Sequence, residues 1–228
     1  MQYVAFMFFL LFPLLSQSGD HLRVFLYNAN DVRFKPLSGA IGIRLDNARS
    51  RSVQQLQTSI AGRYYDFDDV SLFHSEGGRE SGRHVLQDER KNITVETAVD
   101  RNFSLAAVKI DDIDAPERQD LFSGVFLGSA QTNQFVRFKV SGAGMVYVKI
   151  PVMVGCHIPE EYKGNVSITM QAYVFYQSDT GRQMGSRKIF IKDKDCSSMH
   201  TVYLENDIGV NNEDFTAVFG LTAFIQNR

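Results

Sequence analysis

Apolar and polar residues alternate along most of the chain with a period of two. In "QFVRFKV" the apolar positions are Val136, Phe138 and Val140, and the pattern recurs in "MVYVKIPVMV", "NVSITMQAYVFY" and "FTAVFGLTAFI". Successive side chains of a strand point to opposite faces, so each segment predicts a strand with one buried face. Shorter strand-like segments are "LRVFLYN", "ITVETAV" and "FSLAAVKI", and polar turns such as "DRN", "SGAG" and "SDTGR" separate many of the segments.

One segment is a candidate for a short helix. In "ARSRSVQQLQTSIAG", residues 48–62, the apolar residues Val53, Leu56 and Ile60 recur at steps of three and four. Its serines and threonine weaken that prediction, and no other segment has a helical period. The predicted fold class is therefore all-β, an antiparallel β-sandwich or jelly roll.

The first eighteen residues predict a secretory signal peptide. Val4 to Leu15 is an unbroken apolar run, shorter than the roughly 20 residues of a transmembrane helix. Ser16 and Ser18 supply the small residues that favour cleavage after Ser18. No Lys or Arg precedes the run, so a retained anchor is the alternative. No later run is long and apolar enough to span a membrane.

The remaining chain allows two domain organisations. The charged segment "IDDIDAPERQD" falls near its middle, which favours two β-rich halves, residues 19–114 and 115–228. A single β domain over 19–228 is the alternative, and no internal repeat decides between them.

Two cysteines, Cys156 and Cys196, predict one disulfide in an oxidising compartment. Closing the loop between them would stabilise the fold by roughly 4 kcal/mol in the chain-entropy model. His157 and His200 lie nearby, but the spacing departs from that of structural zinc sites.

Three N-x-S/T sequons predict glycosylation at Asn92, Asn102 and Asn165. Glycans are bulky, so these three asparagines are expected on the surface of a secreted glycoprotein.

Acidic clusters raise the possibility of a calcium site. The segments "DDID" and "DKD" provide the candidate ligands Asp111, Asp112, Asp114, Asp193 and Asp195. Calcium takes six to eight oxygen ligands, which neighbouring acidic loops can supply. The alternative is that these aspartates cap turns and keep strand edges soluble.

The segment "LRVFLYNANDV", Leu22 to Val32, resembles the first strand of C2 domains. In that family, aspartates on the loops at one end of the sandwich bind calcium and then a membrane or a partner. Independently of the resemblance, the period of two predicts that Leu22, Val24 and Leu26 are core residues. The resemblance ends at Val32, because "SGAIGIRLDN" stands where the family has an "SDPYV"-like strand. No ligand is transferred, and the position of Asp31 relative to the acidic loops is the open question.

Composition and motifs narrow the functional class. The net charge of −2 gives no basic excess for nucleic acid and no polybasic patch for anionic lipid. The metalloprotease, nucleophile-elbow and P-loop motifs are absent from the sequence. We therefore expect no enzyme and no cofactor, apart from calcium as an option. A hydrolase with a spatially assembled site is an alternative.

The segment "GRYYDFDD", with the polar loop that follows it to Arg90, is the predicted contact surface, because Tyr and Arg are enriched at interface hot spots. Its residues are Arg63, Tyr64, Tyr65, Asp66, Asp68 and Asp69. The sequence thus predicts a secreted glycoprotein that binds an extracellular or cell-surface protein. The alternatives are a structural coat or matrix subunit, a calcium-dependent lipid or glycan binder, and the hydrolase. The oligomeric state is left open.

Overall fold

The computed structural model describes most of the chain after the apolar start. The described residues are 21–29, 31–60, 63–66, 71–73, 82–88, 93–100, 103–110, 126–164, 166–192, 196 and 199–227. They form fourteen strands and one 3₁₀ turn, Glu160–Tyr162. The strands are β1 Leu22–Asn28, β2 Arg33–Pro36, β3 Gly42–Ile60, β4 Arg63–Asp66, β5 Ser71–Phe73, β6 Gly82–Asp88, β7 Ile93–Asp100, β8 Phe103–Ile110, β9 Phe126–Ser141, β10 Ala143–His157, β11 Val166–Ser178, β12 Gln183–Lys192, β13 His200–Asn211 and β14 Phe215–Asn227.

The described strands form two antiparallel sheets packed face to face. The first sheet has the order β13-β10-β1-β8-β7-β6, with β2 paired to β10. The second has the order β12-β11-β14-β9-β3-β4, with β5 paired to β3. The predicted all-β sandwich is confirmed.

The positions that alternate with a period of two form the hydrophobic core between the sheets. The even-numbered residues Val146 to Val154 of β10 are fully buried, and so are Leu22, Val24 and Leu26 of β1. The predicted inner positions of β11 and β14 are buried as well, whereas Val140 at the end of β9 is half-buried. A second, smaller apolar cluster lies on the outer face of the first sheet and contains Phe25, Ala98, Leu105 and Ala107.

The helix candidate at residues 48–62 is wrong. Residues up to Ile60 belong to β3, which pairs with β9 from Arg51↔Phe135 to Gln57↔Ser129. This segment pairs with β9 on one side and with β4 and β5 on the other, so partner strands flank both of its edges. That pairing outweighs three apolar residues at helical spacing, because tertiary context overrides a weak local preference.

Strands from the two sides of residue 114 pair with each other in both sheets. Val24 of β1 lies opposite Cys156 of β10, and Leu45 of β3 lies opposite Phe138 of β9. The choice between two halves and one domain nevertheless stays a prediction. The predicted signal peptide lies outside the described residues.

Cys156 and Cys196 lie at disulfide distance, with their Cα atoms 5.4 Å apart. Cys156 is near the end of β10 in the first sheet, and Cys196 is in the connection between β12 of the second sheet and β13 of the first. The predicted pair therefore ties the connection between the sheets to the end of a central strand.

At the opposite end of the sandwich, three turns interlock. The β9–β10 hairpin turns at Gly142, whose φ of +89° is accessible to glycine at little cost. The N–H of Asn212 donates to the carbonyl of Gly142 at 2.7 Å, and the N–H of Gly142 donates to Oδ1 of Asn212 at 3.2 Å. Gly142 also packs against the backbone of Ala40 so closely that a Cβ would overlap its carbonyl oxygen.

Candidate functional site

The predicted contact segment lies at an edge of the second sheet. Arg63 to Asp66 form β4, in which Tyr64 and Tyr65 lie opposite Ser59 and Thr58 of β3. Asp68 and Asp69 lie outside the described residues. The role of this segment in partner binding stays a prediction.

Neither the predicted calcium ligands nor the sequons fall within the described residues. This applies to Asp111, Asp112, Asp114, Asp193 and Asp195, and to Asn92, Asn102 and Asn165. Across the part of the chain that is described, no group of three or more His, Cys, Asp or Glu residues is suited to hold a metal ion. Asp31 is exposed and accepts a hydrogen bond of 2.9 Å from Nε of Arg33. Its carboxylate therefore has a cationic partner at the start of β2.

Acidic side chains do converge at one end of the sandwich, but they converge on an arginine. The guanidinium of Arg137 pairs with Asp179 and lies 3.7 Å from Asp214 and 3.8 Å from Asp46. The hydrogen bond with Asp179 is the largest cause that raises the pKa of Arg137. Asp214 also accepts a 2.9 Å hydrogen bond from the N–H of Val140. One shared cation therefore links the turns that carry Asp179 and Asp214 to Asp46 of β3.

The surface that brings together the most recognition chemistry is the outer face of β2, β10 and β13. Directly opposed residues point to the same side of an antiparallel sheet. Their register places Arg33, Lys149 and Glu205 in one row and Lys35, Tyr147 and Asp207 in the next. We call this surface the Tyr203 face; its residues are Arg33, Lys35, Met145, Tyr147, Lys149, Pro151, Tyr203, Glu205 and Asp207.

Lys149 is at the centre of the Tyr203 face. Its ammonium lies 2.8 Å from Oε1 of Glu205 and 3.8 Å from the centre of the Tyr203 ring. Tyr147, two residues before Lys149 on β10, also interacts with Glu205. One lysine thus holds a carboxylate and an aromatic ring on neighbouring positions of the adjacent strand.

The charges on this face shift one another's titration. The hydrogen bonds from Lys149 and then Tyr147 lower the pKa of Glu205 below its ordinary value. The same interactions raise the pKa of Lys149 and of Tyr147. At neutral pH Glu205 is therefore a carboxylate and Lys149 an ammonium, so the pair stays charged and the ring of Tyr203 stays capped by a cation.

Tyr203 remains accessible in this arrangement. Its exposed fraction is 45%, and Met145, which lies on the same face towards the other end of β10, is 42% exposed. Gly209, opposite Met145 on β13, has no side chain to cover the thioether. The face therefore presents an accessible aromatic ring, a flexible apolar side chain, and charged groups of both signs that can donate or accept hydrogen bonds.

Sequence reasoning overlooked Tyr203, although a signal was present. In "HTVYLENDIGV" the buried positions are Leu204, Ile208 and Val210, and Val202 packs partly buried on the same phase. Tyr203 falls on the opposite phase, which it shares with Thr201, Glu205 and Asp207. An aromatic residue on the polar phase of a strand indicates a surface ring.

No protein family, curated protein or solved structure matches the chain. Over the described residues, no helix has the length and apolar character needed to cross a membrane.

Proposed function

We propose that this protein is a secreted β-sandwich glycoprotein that binds another extracellular or cell-surface protein through the Tyr203 face. The observation that carries the proposal is the exposed ring of Tyr203, held from one side by Lys149 at 3.8 Å. Tyrosine is among the residues that contribute most to protein interfaces, because it buries a large area with few rotatable bonds.

The fixed position of the ring supports this role. A side chain that is immobilised before binding loses less entropy when the partner arrives. Lys149 is itself paired with Glu205 at 2.8 Å, so the ring of Tyr203 lies against a cation whose own position is fixed by a carboxylate on the same strand as the ring. The exposed guanidinium of Arg33 and the carboxylate of Asp207 border this set as polar rim groups.

The location outside the cell rests on three features. Cys156 and Cys196 lie at disulfide distance, which fits an oxidising compartment. The apolar start of the sequence and its three sequons are further support.

A matched pair of exposed aromatic residues makes the proposal testable. Phe190 on β12 is 56% exposed and has the ammonium of Lys188 4.5 Å from its ring centre, so it resembles Tyr203 but lies on the other sheet. The purified protein is screened against an array of extracellular ectodomains of its own organism. The affinity of each bound ectodomain is then measured for the wild type, Tyr203→Ala and Phe190→Ala.

We expect Tyr203→Ala to weaken binding at least tenfold, the effect of losing about 1.4 kcal/mol, and Phe190→Ala to leave it within twofold. An unchanged affinity for Tyr203→Ala, or an equal loss for both variants, would reject the proposal. A third variant with Tyr64→Ala and Tyr65→Ala reports on the predicted contact segment separately.

A further inference from the structure

The outer face of the second sheet has a different chemistry from the Tyr203 face. Its described central positions carry amide, hydroxyl, aromatic and aliphatic groups and no charged group. We call it the uncharged face; its residues are Ser129, Gln131, Asn133 and Phe135 on β9, Thr169, Gln171, Tyr173 and Phe175 on β11, and Val218, Gly220, Thr222 and Phe224 on β14. The charges beside it, on Lys188 and Lys192, belong to the edge strand β12, where the Lys188 ammonium lies 4.5 Å from the centre of the Phe190 ring.

One row combines the ring of Phe190, on the adjoining edge strand β12, with three uncharged polar side chains of this face. Pairing in the sheet aligns Phe190, Gln171, Thr222 and Gln131 on four successive strands. With neighbouring strands about 4.8 Å apart, the row is roughly 14 Å long. Phe190 is exposed, the two glutamines are half-buried, and Thr222 between them is buried, so the two glutamine amides are the accessible polar groups of the row. Neither glutamine amide has a hydrogen-bond partner among the described residues, so both remain available to a ligand.

The next row forms a fixed platform beside the first. The ring of Tyr173 crosses over Gly220, where a Cβ would overlap the ring. Its hydroxyl donates a 2.5 Å hydrogen bond to Oδ1 of Asn133 on β9. Because the carbonyl oxygen of Asn133 is occupied by Tyr173, its NH₂ group is left oriented as a donor. Glycine at position 220 thus allows one aromatic ring to lie flat across three strands.

We propose that the uncharged face binds a neutral glycan. Sugar hydroxyls both donate and accept hydrogen bonds, and so do the side-chain amides of Gln131 and Gln171. The C–H groups of a sugar ring are apolar and pack on an aromatic side chain such as Phe190. A charged ligand would lose its hydration on this face without meeting an opposite charge at its centre, which disfavours it.

This inference concerns other residues than the proposed protein interface and stands independently of it. Protein interfaces also use tyrosine, but they are typically enriched in arginine and bordered by charged residues, as on the Tyr203 face. The rows at Gln171 and Tyr173 lack those groups on β11, β14 and β9. Their amides instead match a polyhydroxylated ligand.

The test uses the full secreted chain and a defined panel of glycans. The panel contains soluble neutral polysaccharides (a glucan, a mannan and a galactan), an array of neutral oligosaccharides, and sulfated polysaccharides. Binding is measured for the wild type, for Gln131→Ala with Gln171→Ala, and for two control variants. Gln183→Ala removes an exposed glutamine at the far end of β12, and Tyr203→Ala changes the other sheet. Thermal unfolding confirms that each variant is folded.

We expect the wild type to bind at least one neutral glycan and the double glutamine variant to bind it about tenfold more weakly. Both controls should stay within twofold of the wild type. Absence of binding across the neutral panel would overturn the inference. So would binding to sulfated polysaccharides alone, or neutral binding that the double variant leaves unchanged. Loss of glycan binding in Tyr203→Ala would overturn it as well, whereas loss of protein binding in that variant concerns only the Tyr203 face.

Discussion

The ammonium of Lys149 lies 3.8 Å from the centre of the Tyr203 ring on the outer surface of the first sheet. The same ammonium pairs with Glu205 at 2.8 Å. Two adjacent strands therefore present a ring, a cation and a carboxylate in fixed relation at an accessible site. This relation is the basis for assigning a binding role to the face.

Replacing the lysine should change the titration of its partner. In Lys149→Met, Glu205 loses its strongest hydrogen bond, so its pKa should rise towards the ordinary value of a glutamate. In the wild type the lowered pKa keeps Glu205 ionised to lower pH, and the pair is lost only as the pH falls through that lowered pKa. The measurement is an NMR titration of the Glu205 carboxyl carbon.

The matched control for this titration is Lys163→Met, which removes the exposed ion pair with Glu160. It should leave the titration of Glu205 unaltered. If Glu205 titrates at the same pH in Lys149→Met and in the wild type, the assigned contact is absent in solution.

Tyr176 should make the protein sensitive to alkali. Its side chain is fully buried, it packs edge-on against Phe215, and its hydroxyl has no hydrogen-bond partner among the described residues. Burial raises its pKa. The folded state thus favours the neutral phenol, and the stability from this group is complete below about pH 10 and is lost as the pH rises above it.

Tyr176→Phe should therefore flatten the alkaline part of the stability curve. It should also stabilise the protein by about 1 kcal/mol at pH 7, because it removes a buried hydroxyl without a partner. Urea unfolding at pH 7 and at about pH 10.5 measures both effects. Parallel curves for variant and wild type would show that Tyr176 ionises as easily in the folded state as in the unfolded state.

Two glycines with the same backbone conformation should differ in their tolerance of alanine. Gly142 and Gly181 have φ values of +89° and +85°, so alanine is strained at both. A Cβ at position 181 would meet nothing within 4 Å, whereas one at position 142 would overlap the carbonyl oxygen of Ala40.

We expect Gly181→Ala to cost about 1 kcal/mol and Gly142→Ala about 3 kcal/mol or more. Denaturant unfolding of the wild type and the two variants measures the loss in the free energy of unfolding that each alanine causes. Equal costs would mean that the turns at residues 38–41 and 142–144 are not packed together in solution.

The cysteine pair should contribute strongly to stability. Cys156 and Cys196 are 40 positions apart, and a loop of that size corresponds to about 4 kcal/mol in the chain-entropy model. Replacing both by serine should lower the free energy of unfolding by about that amount. Two free thiols in the denatured, non-reduced wild type would contradict the pairing.

The sequence predicted the core well because the period of two reports directly on burial. The even-numbered residues from Val146 to Val154 are buried, as the alternation predicts, and so are Leu22, Val24 and Leu26. The period does not report which strands become neighbours. The opposition of Lys149 and Glu205 depends on the register of β10 and β13, which are separated by two strands of the other sheet.

Because the sequence pattern does not report strand pairing, the helix candidate was wrong and the acidic side chains around Arg137 were not predicted. Val53, Leu56 and Ile60 have helical spacing, but β9 pairs with their segment and makes it a strand. Asp46, Asp179 and Asp214 are far apart in the chain. Asp46 lies opposite Arg137 on the paired strand β3, whereas Asp179 and Asp214 are on the β11–β12 and β13–β14 turns, so strand pairing and two turns bring them together at Arg137. Local sequence patterns do not indicate that these three carboxylates lie close to Arg137.

The most direct test of the proposed function is photo-crosslinking from the Tyr203 face in the organism's own extracellular fluid. A benzoylphenylalanine is placed at position 203 in one protein and at position 190, the exposed aromatic position on the other sheet, in a second. The account predicts a discrete crosslinked protein species from position 203 that position 190 does not give and that excess unlabelled wild type abolishes. No crosslink from position 203, or the same species from both positions, would contradict it.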